Sequence, residues 1–168
     1  MKTHSFRNPV SLTTYIAQYE KENIKNVVYI WGFLNENKFF PYYIGQTEKF
    51  RSRVQTHIIN LCGGAYNIFP LQDIFKKNSS ARPLYSPDNL NNFITLFYDK
   101  KAQQETKEMI NKFHITWTES SIEGGKQERE NIETATTKII KEKNYIIISG
   151  GRNISETPVN INFSNILL

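Results

Sequence analysis

Two apolar runs separated by a short polar turn and followed at once by a basic helical pattern constrain this chain more than any other feature. They occupy Val27 to His57, VVYIWGFLNENKFFPYYIGQTEKFRSRVQTH. Asn26 to Phe33 and Phe39 to Gly45 are rich in β-branched and aromatic residues, and Asn35-Glu36-Asn37-Lys38 between them is polar, the pattern of a β-hairpin. Alternation puts Val27, Tyr29 and Trp31 on one face of the first strand and Val28, Ile30 and Gly32 on the other. In the second strand Tyr43 and Gly45 share a face opposite to Ile44. Gly45 ends that strand, where the chain turns sharply or another part of the chain comes close. Thr47 then opens a helical run in which Phe50, Val54, His57 and Ile58 recur at helical spacing. Arg53 and His57 are four apart and so lie one turn from each other on one helix face. A hairpin feeding this helix presents Tyr29, Tyr43, Arg53 and His57 to one side of a small sheet.

Around this centre the chain reads as alternating helices and short strands. Ser11 is placed to cap a helix with Leu12, Tyr15, Ile16 and Tyr19 on one stripe, ending near Asn23. Ala65 to Lys77 reads as a helix broken early by Pro70, residues 78–92 as a loop, and Phe93 to Tyr98 as a short strand. A helix over Gln103 to Phe113 and a strand over His114 to Glu119 follow. Gly124-Gly125 precedes the longest helical pattern, Lys126 to Lys143, with Ile132, Ala135, Thr136, Ile139 and Ile140 on its buried face. On this helix Glu128 falls about 45° from the centre of that face and Glu133 about 95°, while Glu130 lies on the far side. Tyr145 to Ile148 reads as strand-like, and Val159, Ile161 and Phe163 alternate with polar residues as in an edge strand or a segment that pairs with a partner.

The expected fold class is α/β (α+β), a short, mainly antiparallel sheet flanked by helices. With 168 residues the chain is expected to be a single domain. Residues 1–25 are expected to be an N-terminal helical addition, 61–125 an insert and 154–168 a C-terminal tail. Hydrophobic residues make up 39% and charged residues 22%, the balance of a soluble globular chain, and no apolar run approaches the roughly 20 residues that cross a bilayer. The opening residues carry no secretory apolar stretch, and the lone Cys62 can make neither an internal disulfide nor a cysteine-based metal site, so an intracellular, cytoplasmic setting is expected. A net charge of +5 favours a polyanionic partner, because lysines and arginines that neutralise phosphates release condensed counterions. HExxH, CxxC, GxSxG and Walker-type patterns are all missing, which removes the familiar metalloprotease, zinc, hydrolase and NTPase readings.

The spaced set Val28-Tyr29, Tyr43-Ile44-Gly45, Arg53 and His57 resembles the GIY-YIG endonuclease superfamily, with VVY standing where that family has GIY. The resemblance covers Val27 to His57 and extends loosely to Asn153. It implies a Mg²⁺- or Mn²⁺-dependent DNA endonuclease of restriction or phage type. In the roles it implies, Tyr29 activates the attacking water, Arg53 holds phosphate oxygens, His57 relays a proton or orients Tyr43, and one glutamate of a later helix binds the metal. That glutamate is Glu128 by helix phase, with Glu133 and Glu130 as alternatives. A later asparagine of the family corresponds to Asn153 in the Gly-Gly-Arg-Asn turn, with Asn144 as competitor. Gly45 serves backbone geometry, and Lys49 and Arg51, with Lys76 and Lys77, are candidate phosphate contacts. One such site cuts one strand, so double-strand cleavage implies a homodimer or two successive visits. The competing reading is a catalytically inactive nucleic-acid-binding module of the same fold, favoured if no carboxylate reaches the tyrosine, arginine and histidine cluster.

Overall fold

The β-branched and aromatic run from Val27 becomes the central strand of the protein. The computed structural model describes residues 2–87, 94, 98–148 and 159–168. In chain order the elements are β1 (Thr3–Ser5), β2 (Val10–Ser11), α1 (Leu12–Thr14), β3 (Val27–Asn35), β4 (Lys38–Thr47), α2 (Phe50–Cys62), α3 (Leu71–Phe75), α4 (Lys100–Lys112), β5 (Phe113–Glu119), α5 (Gly125–Glu142) and β6 (Asn160–Asn162). A four-stranded antiparallel sheet has the order β2-β5-β3-β4, and a two-stranded parallel pair joins β1 to β6. The expected α+β architecture, a short sheet flanked by helices, is therefore the observed one.

The hairpin forms as its pattern requires. Glu36 and Asn37 at the tip both take positive φ, 49° and 66°, as the tight turns that match strand twist demand. Tyr29 pairs with Gly45 and Trp31 with Tyr43, so these four residues share one face. A bulge follows between Trp31 and Gly32. It places both Tyr42 and Tyr43 against Trp31, with ring centroids 5.3 and 5.8 Å away. Helix α2 covers this face with Phe50, Val54, His57 and Leu61, all buried. Helix α5 packs along β4 and β3 from the other side. There buried Arg129 donates from Nε to Gln46, which alternates with Gly45 and so points away from the tyrosines.

Several expectations change. The N-terminal segment is not only helical. Ser11 does cap α1 through its hydroxyl, but the helix passes after Thr14 into a π-helical turn, Tyr15–Tyr19, and two short strands precede it. The span 61–125 is no appendage, because β5 lies within it and pairs with β3 along seven residues. Its strand character was visible; that it supplies the neighbour of the central strand depends on long-range pairing. The break at Pro70 is real, and only Leu71–Phe75 is helical after it. Of the strand expected over 93–98, Ile94 and Tyr98 are helical and the remainder lies outside the described residues. Tyr145 to Ile148 forms no strand but lies against the outer edge of β4, where Ile148 donates its N–H to the Tyr42 carbonyl at 2.9 Å. The alternating tail is a strand, as β6 beside β1.

Candidate active site

The four residues singled out on the hairpin and helix come together. Tyr29 is fully buried, and its hydroxyl lies 2.7 Å from His57 Nε2. Arg53 reaches back across the strand ends, donating from Nε to the Tyr29 hydroxyl at 3.1 Å and from Nη2 to the Tyr43 hydroxyl at 3.2 Å. Strand alternation supplies the tyrosines and one helical turn supplies the arginine and histidine. Tyr43 and Arg53 are half-buried, so the cluster opens to solvent on their side.

Gly45 has a sharper role than backbone geometry. A Cβ there would lie 2.6 Å from the Tyr29 hydroxyl and 2.8 Å from Tyr43 Cε1, so the absence of a side chain is what lets the two phenols converge over the strand.

Burial sets the protonation states. Tyr29 is pushed up from the usual phenol value by loss of solvent, an effect that the Arg53 hydrogen bond only partly offsets. His57 is pushed down to about 3 by burial and then by the Arg53 charge. At neutral pH the phenol is therefore protonated and the imidazole neutral. A neutral imidazole has one N–H, so His57 donates to one neighbour and accepts from the other, and its second partner is the group at the far nitrogen.

That group is Tyr66, which sequence reasoning missed. Its hydroxyl lies 2.6 Å from His57 Nδ1 and also accepts from Asn60 Nδ2 at 3.4 Å. Tyr66 follows Gly63-Gly64, where the left-handed Gly64 (φ 71°) turns the chain back toward the helix. No spacing rule pairs it with His57; only the turn does.

Glu128 and Glu130 of α5 go elsewhere. Glu128 looks inward as its phase predicts, but toward the N-terminal strand. One carboxylate oxygen takes Lys2 Nζ at 3.1 Å and faces His4 Nε2 at 3.5 Å, and the other accepts from the Ser121 N–H at 2.7 Å and from its hydroxyl. Gly124 lacks the Cβ that would strike this carboxylate. Although burial alone would raise it, the bonds from Ser121 and Lys2 hold the Glu128 carboxyl below the ordinary range. Glu128 thus ties the chain start to the turn before α5, and it does not fit a metal, which would have to displace Lys2. Glu130 pairs with Lys126 at 3.6 Å.

Glu133 is half-buried and lies on a different flank. At about 100° per residue it sits some 40° from Arg129, whereas Glu128 sits about 100° from Arg129 in the other sense. Glu128 points to the side held by Lys2 and Ser121, and Glu133 lies on another flank of α5, the helix that packs on the sheet face opposite to Tyr29 and Tyr43. Among the described residues no three His, Cys, Asp or Glu side chains gather as a metal-binding group. Mg²⁺ is commonly held by one or two carboxylates, with water and phosphate completing its shell.

The proposed phosphate contacts divide. Lys49 and Arg51 are exposed and line an open groove of about 310 Å³ with Lys21, Lys25 and Glu48, and Arg51 pairs with Glu20 at 3.6 Å. Lys77 donates to the Lys143 carbonyl and lies 3.7 Å above the Tyr145 ring. Asn144, with φ 60°, ends the turn after α5 and is exposed, while Asn153 lies outside the described residues. No helix among the described residues is long and apolar enough to cross a membrane. Comparison with protein-family models, with curated proteins and with solved structures found no match to this chain.

Proposed function

We propose that the protein is a DNA endonuclease of the GIY-YIG type that hydrolyses a phosphodiester at the Tyr29, Tyr43, Arg53 and His57 cluster. The observation that carries this reading is Arg53. A permanently charged guanidinium bridges two phenols at a half-exposed mouth, and among the described residues no carboxylate is bonded to it. The arrangement supports phosphate binding and is one that the inactive binding module would share, so cleavage itself decides between the two. A cation so placed is complementary to a phosphate, to which it offers planar paired donors.

The hydrogen-bond chain answers the difficulty that a buried phenol is a poor base. Tyr29 accepts a proton from the attacking water only if its own proton leaves, and His57 Nε2 lies 2.7 Å away to receive it. Burial makes an imidazolium costly here, so His57 must not keep that proton. It passes its Nδ1 proton to the Tyr66 oxygen as the half-exposed Tyr66 releases its own hydroxyl proton to solvent, which leaves both the imidazole and the phenol neutral. Arg53 meanwhile stabilises charge developing on the phosphate and on Tyr29.

For the Mg²⁺ or Mn²⁺ role we take Glu133, an alternative to Glu128, because Lys2 and Ser121 hold the Glu128 carboxylate. A bound divalent ion would supply charge neutralisation on the phosphate and help for the leaving oxygen. In the test, plasmid nicking is followed with Mg²⁺ and with EDTA for the wild type, Glu133→Gln and Glu128→Gln. Nicking that needs Mg²⁺, survives Glu128→Gln and is lost in Glu133→Gln supports the reading. Loss in Glu128→Gln at unchanged stability would return the metal to that residue. A wild type that binds DNA but never nicks it is the inactive binding module instead.

A further inference from the structure

At the hairpin end of the sheet, along β4 from the cluster, three aromatic rings form a patch. Phe40 packs on Phe75 with centroids 4.9 Å apart and on Tyr145 at 5.9 Å. Lysines from four different elements surround it. Lys77 lies 3.7 Å above Tyr145, Lys38 5.8 Å from the Phe40 ring and Lys112 5.9 Å from the Phe75 ring, while the Lys143 carbonyl accepts from Lys77. We propose that Lys38, Lys77, Lys112 and Lys143 form a docking surface for the phosphate backbone of duplex DNA. The inference rests on the reading of DNA as the partner, and not on cleavage.

Lysine stems do cover apolar surface, and covering the three rings would account for their packing. It does not account for the charge. Among the described residues none of the four makes an ion pair with a carboxylate, although exposed Lys2, Lys126, Arg7 and Arg51 all do. Lys77 is driven below the ordinary lysine value by burial and then by the nearby charges of Lys38 and Lys143. Four uncompensated cations brought together from β4, the end of α3, the end of α4 and the end of α5 create a local field that a polyanion relieves.

The path to the cluster is continuous. Starting at His57, the segment after α2 lies along the tyrosine face of β4. Tyr66 sits 6.0 Å from Tyr43, Phe69 6.5 Å from Tyr42 and Phe75 4.9 Å from Phe40. Lys38 and Tyr43 are five strand residues apart, about 16 Å. With one phosphate per 3.4 Å of duplex axis on each strand, the patch would engage the backbone roughly five steps from a bond held at Arg53.

The test measures binding alone, by fluorescence anisotropy of a labelled 30-base-pair duplex in EDTA over a series of KCl concentrations. The variant is the triple Lys38→Gln, Lys112→Gln, Lys143→Gln; Lys77 is kept because it packs on Tyr145. The slope of log affinity against log salt should fall by about 2 to 3, at roughly 0.9 per lost phosphate contact. The corresponding triple arginine variant should keep it. An unchanged slope, or an equal fall in a control triple at exposed Lys101, Lys107 and Lys138, would overturn the proposal. So would an unchanged DNA slope with loss of binding to phosphatidylserine vesicles, which would assign the patch to a membrane surface. Because no cleavage is read, a protein that never nicks can still pass, and a nuclease can still fail.

Discussion

Two buried polar networks lie on opposite faces of the same sheet, each centred on an arginine. Arg129 is 3% exposed and fully compensated: it donates to Gln46, Asn26 and the Glu48 carboxylate, with Glu48 only 2.6 Å away. Beside it Glu128 is satisfied by Lys2 and Ser121. Arg53, on the other face, meets two phenols and, among the described residues, no carboxylate, and it opens to solvent. The first network closes on itself and fastens the chain start, the turn before α5 and the hairpin ends. The second is short of one anion. A closed network is what stability asks for, while an arginine left partly unpaired at a mouth is what binding asks for.

The contrast can be broken directly. Arg53→Gln should lower plasmid nicking by about 10²-fold or more while the urea midpoint stays within experimental error, since it removes charge stabilisation from the reaction and not from the fold. Arg129→Gln should do the reverse, costing about 1–3 kcal/mol in urea unfolding by removing the buried guanidinium that ties together Gln46, Asn26 and Glu48, with nicking per folded molecule largely kept. Equal effects of the two on stability would erase the distinction.

Gly45→Ala sharpens it on the tyrosine side. The added methyl must displace the Tyr29 ring, so a loss of about 1–3 kcal/mol in urea unfolding is expected. A nicking defect larger than that loss explains should accompany it, with DNA affinity unchanged. Full activity would mean that the position of the phenol does not matter.

The smallest expected effect is on acid stability. His57 binds its proton more weakly folded than unfolded, so its contribution is complete above about 6.5 and is lost as pH falls toward about 3. His4, lowered chiefly by burial, adds in the same direction. Urea midpoints measured from pH 7 to pH 4 should therefore fall, and His57→Gln should flatten the decline. An equally steep decline in that variant would show that the imidazole is not held neutral.

The tyrosine face was legible because its geometry is local. Alternation fixes Tyr29, Tyr43 and Gly45 on one side, and the i, i+4 rule fixes Arg53 and His57. The opposite face was not, because the partners of Glu128 are decided 126 residues away in sequence by Lys2. Helix phase said that Glu128 points inward, and it does, but phase does not say toward what. The same limit hid Tyr66, brought to His57 by a glycine turn, and β1, three residues long and defined only by its pairing with β6. Strand character in β5 could be read, yet its place beside β3 could not, so a central strand passed for part of an insert.

The most direct measurement is single-turnover nicking of supercoiled plasmid by wild type and Tyr29→Phe in Mg²⁺, at matched DNA occupancy. Removing one oxygen leaves ring packing in place but cuts the chain from water to His57. The wild type is expected to nick and Tyr29→Phe to show no nicking above background, with DNA affinity unchanged and a loss of only about 1–3 kcal/mol in urea unfolding from the stranded His57 nitrogen. Nicking by Tyr29→Phe at the wild-type rate would contradict a reaction centred on this cluster.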